Sequence, residues 1–250
     1  MVMKISTIKD KVLSLLYVKD IKCIYCNKEL NMPDKYCMCK NCFTHLKFNN
    51  NKVCKKCGIK IFGEIDICRK CVKNKRSFEK AISVFEYEGT IKDLVKKFKF
   101  SGSKYLGEYL GKFMVDKYSE SNINADLVLP VPLHSSSYKK RGFNQAAELA
   151  KCFESILPVN YKCLIKTKKT PKQAKSDLKS RLTNLTGCFD VINPEVIKGK
   201  TILLIDDIYT TGATAEECAK TLHTSGAGNV YVLTLCSSVY NYNEKVGWID

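Results

Sequence analysis

Apolar and polar residues alternate along residues 80–87 (KAISVFEY), the period of a strand, and Gly89 ends the run. Ile91, Leu94, Val95 and Phe98 then recur at helical spacing, and after a Ser101-Gly102 turn Leu106, Leu110, Phe113 and Met114 do the same. Three further segments are short, mainly apolar runs with β-branched residues: Asp126–Pro130 (DLVLP), Thr201–Ile205 (TILLI) and Val230–Leu235 (VYVLTL). Strands buried on both faces of a parallel sheet read this way. Helical segments near 144–157 and 213–225 lie between them, so the pattern predicts an α/β domain with a mostly parallel sheet. At the start of the chain Ile5, Ile8, Val12, Leu15 and Leu16 mark a helical face, read as one packed on the protein's own core. The apolar stretch there runs only from Val12 to Val18 between Asp10 and Asp20, which is neither a membrane span nor a signal peptide. A cytoplasmic protein without membrane insertion is expected.

Residues 21–76 lack such periodicity and carry cysteine instead. Nine of the fourteen cysteines fall within the first 71 residues, and eight of these form C-x-x-C pairs: Cys23/Cys26, Cys39/Cys42, Cys54/Cys57 and Cys68/Cys71. A C-x-x-C turn lets two thiolates reach one ion at about 2.3 Å, and two turns complete a tetrahedral site. Gly58 after Cys57, and Asn27 after Cys26, suit the tight backbone of such turns. With few apolar residues between the pairs, this segment needs the on the order of 10–16 kcal/mol that structural zinc supplies. Zn2+ is therefore expected to be structural, at two sites: Cys23, Cys26, Cys39 and Cys42 at one, and Cys54, Cys57, Cys68 and Cys71 at the other. A cross-braced pairing of first with third and second with fourth knuckle is the alternative, and Cys37 competes with Cys39 as a ligand. His45 is read as a bystander, and an iron–sulfur cluster as a rival metal centre lacking the dense bacterial ferredoxin run.

Charge follows the same division. The chain carries a formal +17, and residues 1–80 hold 19 Lys/Arg against 7 Asp/Glu. Lys52, Lys55, Lys56 and Lys60 cluster around one knuckle, and Arg69, Lys70, Lys73, Lys75 and Arg76 around the next. A ribbon that stays basic after the thiolates are counted is compatible with nucleic acid, and Tyr25, Tyr36, Phe43 and Phe62 offer stacking surfaces or core.

The densest chemistry lies in ILLIDDIYTTGAT, residues 202–214. An apolar strand ends in Asp206-Asp207 and leads through Thr210, Thr211, Gly212, Ala213 and Thr214 into a helix. A Gly- and Thr-rich loop at a helix N-terminus offers N–H groups, hydroxyls and the positive end of the helix dipole to a phosphate. Acidic groups just before it would repel that phosphate unless they served adjacent hydroxyls near Mg2+. The combination points to a sugar phosphate. An ATPase Walker B strand is the rival, but GEYLGKF at 107–113 has the wrong spacing for a Walker A loop and no Ser/Thr after its lysine.

This stretch resembles the phosphoribosyl pyrophosphate (PRPP) signature of type I phosphoribosyltransferases. FKFSG at 98–102, PVPLH at 130–134, RGFNQ at 141–145, TPKQ at 170–173, Arg181 and Asn184, with the cysteine-rich start, resemble the ordered blocks of the ComF family of competence proteins. Ser176, Asp177 and Leu178 depart from the Leu-Ser-Arg-like run of relatives. The segment Lys73–Phe78 (KNKRSF) reads as a linker, and the resemblance implies a type I phosphoribosyltransferase-like domain at 77–250 behind a double zinc-ribbon module at 1–76. It implies that Asp206 and Asp207 hold the ribose hydroxyls and that Thr210 to Thr214 cradle the 5-phosphate. Val131, Pro132 and Leu133 would form the loop near pyrophosphate, with Arg141 against it, and Mg2+ would accompany PRPP. His134 is either a base or a structural residue at the strand end. Lys166–Lys175 resembles the mobile hood loop that closes on substrate. The family resemblance also implies DNA uptake in natural transformation, single-stranded DNA as a partner and a helicase beside it. Two activities stay open: transfer of phosphoribosyl to an unnamed acceptor with release of pyrophosphate, or non-catalytic PRPP sensing by a DNA-binding accessory protein.

Overall fold

The structure, a computed structural model, describes residues 21–50, 52–167 and 187–238. The amphipathic start at Ile5–Leu16, most of the hood segment, the TPKQ block, Ser176–Leu178, Arg181 and Asn184 lie outside them. The chain divides into two compact units between His45 and Leu46.

The first unit is the first ribbon. Cys23 and Cys26 sit on a turn in which Asn27 N–H donates to the Cys23 carbonyl at 3.0 Å, and Asn27 takes a left-handed φ of 60°. The second knuckle opens helix α1 (Lys40–Thr44), with Cys39 as its N-cap.

The second unit repeats this geometry before the sheet begins. Gly58 N–H donates to the Cys54 carbonyl at 2.9 Å, Gly58 has φ 66°, and Cys68 stands at the N-cap of α2 (Arg69–Lys73). Strand β1 (Lys80–Glu86) follows, then helices α3 (Gly89–Phe100) and α4 (Leu106–Ser119), strand β2 (Leu127–Pro130), helices α5 (Ser135–Arg141) and α6 (Gln145–Ala150), and the short pair β3 (Leu164–Lys166) and β4 (Phe189–Val191). Strand β5 (Ile202–Tyr209), helix α7 (Ala213–Thr224) and strand β6 (Val230–Ser237) complete it.

The main sheet has the order β1-β6-β5-β2, with every neighbouring pair parallel, and β3-β4 form a separate antiparallel pair. Strands β5 and β6 lie in the middle and are buried on both faces, as their uninterrupted apolar runs require. Strand β1 would be an open edge, but Asn49 N–H donates to the Val84 carbonyl, Ala81 N–H to the Lys56 carbonyl and Glu86 N–H to the Lys47 carbonyl, each within 2.9 Å. The edge is thereby covered by the chain that leads into and through the third knuckle. Cys54, Cys57, Cys68 and Cys71 share one continuous core with Phe78, Ala81 and strands β2, β5 and β6.

Among the described residues, the predicted strands and the helices over 89–100, 106–119 and 213–224 appear where the pattern puts them. The segment near 144–157 is a helix only to Ala150 and continues as a single 3-10 turn over Lys151–Phe153. GEYLGKF lies within α4, where a Cβ on Gly111 would come within 2.6 Å of Cys152 Sγ and one on Gly107 within 2.8 Å of Glu148 Cβ. These glycines let α4 close on α6, and no phosphate loop is formed there.

Candidate functional site

The eight knuckle cysteines gather into two sets, Cys23/Cys26/Cys39/Cys42 and Cys54/Cys57/Cys68/Cys71, with the sulfurs of each set within 4.8 Å of one another. Neighbouring knuckles pair, which excludes the cross-braced arrangement. Tetrahedral coordination at about 2.3 Å requires sulfurs about 3.8 Å apart. Cys26 and Cys39 Sγ are separated by 3.8 Å, and Cys57 and Cys68 Sγ by 3.7 Å. Both sets therefore fit a zinc ion. The thiols also press on one another: hydrogen bonds from Cys57 and Cys71 hold Cys54 far below the ordinary thiol range, and the same contacts push Cys57 far above it. Four sulfurs this close share their negative charge comfortably only around a cation. Cys37 is outside the first set, with its thiol donating to the Lys22 carbonyl at 3.3 Å, and His45 Nδ1 lies 2.6 Å from the Asn41 carbonyl.

The second constellation lies where β5 leaves the sheet. Because all four strands are parallel, the loops that follow β2 and β5 emerge on the same edge, the usual ligand edge of an open α/β sheet. Pro130 is in register with Ile205, and Val131 N–H donates to the Ile205 carbonyl at 2.8 Å, so the Val131–Leu133 loop starts beside Asp206. Asn144 Nδ2 holds the Val131 carbonyl at 2.9 Å. Arg141 donates to Gln145 Oε1 at 2.9 Å and stacks over Phe100. His134 caps α5, its Nδ1 accepting from Ser136 N–H at 3.2 Å, a structural role.

Beyond β5 the chain turns through Thr210 and Thr211 into α7, with Gly212 as the N-cap at φ 76°. A Cβ there would lie 2.1 Å from the Tyr209 hydroxyl, so only glycine fits on both counts. Ala213 N–H donates to Thr211 Oγ1 at 3.3 Å.

The acidic pair is compensated on both sides. Lys99 Nζ, from the end of α3, lies 2.7 Å from Asp207 Oδ2, and both side chains are largely buried. Asp206 is raised from the ordinary carboxylate value to about 7 by burial first and by Asp207 second, against the lowering effect of the Asp207 N–H bond, Lys99 and Lys166. Burial also holds the Lys166 ammonium below its ordinary value, with Asp206 acting in the opposite sense. Two carboxylates, two lysines and a helix N-terminus thus converge at one strand end. Lys99 stands in the FKFSG block, but its partner is more than a hundred positions away and no local spacing marks it. Arg76, grouped by sequence with the exposed cations of the ribbon, is buried, and its Nη2 donates to the Thr211 carbonyl at 3.2 Å.

Comparison with known proteins identifies the cysteine-rich start. Residues 12–72 match the double zinc ribbon domain. The chain is 32% identical to competence protein ComFC of Bacillus subtilis, over 82% of its own length and 86% of that protein's. The chain belongs to the ComF family. Other relatives are competence protein F of Haemophilus influenzae, 25% identical over 85% of this chain and 95% of that one, and the DNA utilization protein YhgH of Escherichia coli K12, 25% identical over 75% and 85%. Among solved structures, a glutamine PRPP amidotransferase from Bacillus subtilis aligns with 54% of this ComF chain and 26% of its own at 24% identity and a TM-score of 0.33. A hypoxanthine phosphoribosyltransferase from Staphylococcus aureus aligns with 58% and 70% at 16% identity and a TM-score of 0.30. No helix among the described residues is long and apolar enough to cross a membrane.

Proposed function

We propose that this ComF protein binds PRPP with Mg2+ at the carboxyl edge of its sheet and serves DNA uptake in the cytoplasm, where its basic ribbons hold single-stranded DNA. The observation that carries the PRPP reading is the Asp206–Asp207 pair, with Asp207 buried and Lys99 and Lys166 flanking it, at the mouth of the Thr210–Thr214 loop. Carboxylates so placed accept hydrogen bonds from ribose hydroxyls, while the N–H groups and hydroxyls of the loop receive the 5-phosphate. Val131, Pro132 and Leu133 border the pyrophosphate side, with Arg141 nearby in sequence and held by Gln145. The carboxylates and the Val131–Leu133 loop fit a hydrated Mg2+, which when bound would neutralise pyrophosphate charge. If transfer occurs, the chain contributes positioning and charge stabilisation as the C1–oxygen bond loosens.

Two observations favour the nucleic-acid part: the second ribbon exposes the cations Lys52, Lys73 and Lys75 and an aromatic, Phe62, and the relatives carry competence and DNA-utilization names. The decisive experiment combines calorimetry with a pyrophosphate-release assay. Asp206→Asn with Asp207→Asn should weaken PRPP binding by roughly 10²- to 10⁴-fold, since charge-assisted hydrogen bonds are worth about 1.5–3 kcal/mol each. Unchanged affinity would end the PRPP reading. Release dependent on an added base or on single-stranded DNA would make the protein a transferase, and binding without release would make it a sensor.

A further inference from the structure

Two buried side chains fill the space between the second cysteine cluster and the phosphate loop. Arg76 lies just beyond Cys71, and its guanidinium reaches the Thr211 carbonyl at 3.2 Å while facing Tyr209, Cys71 and Glu216. Tyr209 approaches from the other direction. Its ring meets Phe78 edge-on at 6.3 Å, its hydroxyl occupies the place beside Gly212, and it faces Cys57, Cys71 and Cys68. The next residue of the connector is tied to the same helix: Ser77 N–H and Oγ donate to the Glu216 carboxylate at 3.0 and 2.8 Å, and His223 Nε2 meets the Ser77 carbonyl at 2.9 Å.

The Thr211–Gly212 peptide is trans, like every described peptide bond, so its C=O and its N–H point in opposite directions. A carbonyl held by Arg76 therefore turns the Gly212 N–H away from Arg76. That N–H is one of the donors a phosphate at this helix N-terminus would use.

We infer that the second ribbon is a positioning element of the phosphate loop: metal held by Cys54, Cys57, Cys68 and Cys71 fixes Arg76 and Tyr209, and Arg76 fixes the peptide that presents Gly212 N–H. Arg76 is a positioning residue, acting through the loop. This inference rests on the PRPP reading and adds to it a thermodynamic consequence. If metal in the second ribbon favours the binding-ready loop, PRPP on the loop must favour metal retention by the same factor. The first ribbon, in the other compact unit, serves as an internal control.

The test uses the full-length zinc-loaded protein and follows zinc transfer to a chromogenic chelator in excess Mg2+, with and without saturating PRPP. At equilibrium with the chelator, PRPP should tighten retention of one of the two zinc ions on the order of tenfold and leave the other unchanged. The tightened site should persist in Cys26→Ser, which removes a first-ribbon ligand. Arg76→Gln should keep two zinc ions, bind PRPP about tenfold more weakly and lose the effect of PRPP on retention, while Arg76→Lys should regain part of both. The inference is overturned if wild type binds PRPP calorimetrically yet neither zinc ion is held more tightly at equilibrium, or if Arg76→Gln keeps wild-type affinity and linkage. Should Arg76→Gln fail to fold, the wild-type linkage decides alone. Absence of PRPP binding by wild type would sink the PRPP reading, and this inference with it.

Discussion

Replacing Lys99 by methionine removes the cation that compensates the acidic pair while keeping most of the aliphatic volume. Lys99 Nζ and Asp207 Oδ2 are 2.7 Å apart, with 15% and 12% of the two side chains exposed. That geometry is far from a surface pair, for which about 0–1 kcal/mol would be expected. Breaking a fully buried pair from one side costs about 3–5 kcal/mol because the other charge is stranded, and the residual exposure here brings the expectation to about 2–3 kcal/mol. For a protein of this size each kcal/mol moves Tm by about 2–4 °C, so Lys99→Met should melt roughly 4–12 °C below wild type at neutral pH. Asp207→Asn in the same chain should restore most of the loss, since no stranded charge remains, and the double-mutant cycle should show coupling of about 2 kcal/mol. Carboxyl NMR offers a second reading: without Lys99, which lowers Asp206, the Asp206 titration should move above about 7. The reasoning is refuted if Lys99→Met melts within a degree or so of wild type, or if the double variant melts as low as the single one.

Asp206 gives a pH dependence whose sign is fixed by its raised pKa. The folded chain holds this proton more tightly than the unfolded one, so the contribution of Asp206 is complete below about 3.8 and is lost as pH rises through about 7. Ligand-free wild type should therefore lose Tm between pH 5.5 and 8 relative to Asp206→Asn, and parallel curves would contradict the assignment. Metal analysis of protein purified without chelator should return about two zinc ions per chain, and one in Cys57→Ser; iron, or a single zinc in wild type, would contradict the two tetrathiolate sites. Binding of single-stranded DNA, followed by anisotropy at several salt concentrations, should weaken steeply with salt. Reversing the exposed Lys52, Lys73 and Lys75 to Glu should reduce the log–log slope by about 2, and an unchanged slope would move the nucleic-acid surface off the second ribbon.

What was legible in the sequence follows from what local patterns encode. Strands β5 and β6 announce themselves because burial on both faces leaves their first residues, Ile202–Ile205 and Val230–Leu233, without a charged position, and α3 and α4 because one buried stripe recurs at helical spacing. Helix α5 leaves no such trace: none of Ser135–Arg141 is buried, so nothing in its composition distinguishes it from a loop. Strands β3 and β4, three residues each, are too short for any period to register. In the candidate site, the acidic pair and the Thr-Gly turn are contiguous and could be read directly. Lys99, Arg76 and Ser77 reach Asp207, Thr211 and Glu216 from distant positions, and the signal that assembles them is the fold itself.

The two ribbons show how a repeated local geometry diverges once one copy is built into a larger core. Asn27 and Gly58 occupy equivalent places after the second cysteine of their knuckles, with φ of 60° and 66° and the same backbone hydrogen bond to the first cysteine. Asparagine tolerates that conformation, and Asn27 is exposed, so a side chain there meets no obstacle. At Gly58 a Cβ would lie 2.5 Å from the Ala81 carbonyl on strand β1, which closes the position to every residue but glycine. The same contrast holds for the ligands: Cys26 is exposed, whereas all four cysteines of the second set are buried. Metal in the first ribbon therefore stabilises a small module, while metal in the second also stabilises the covered edge of β1 and the docked connector at Arg76–Phe78. Loss of the second ion should be felt in the sheet.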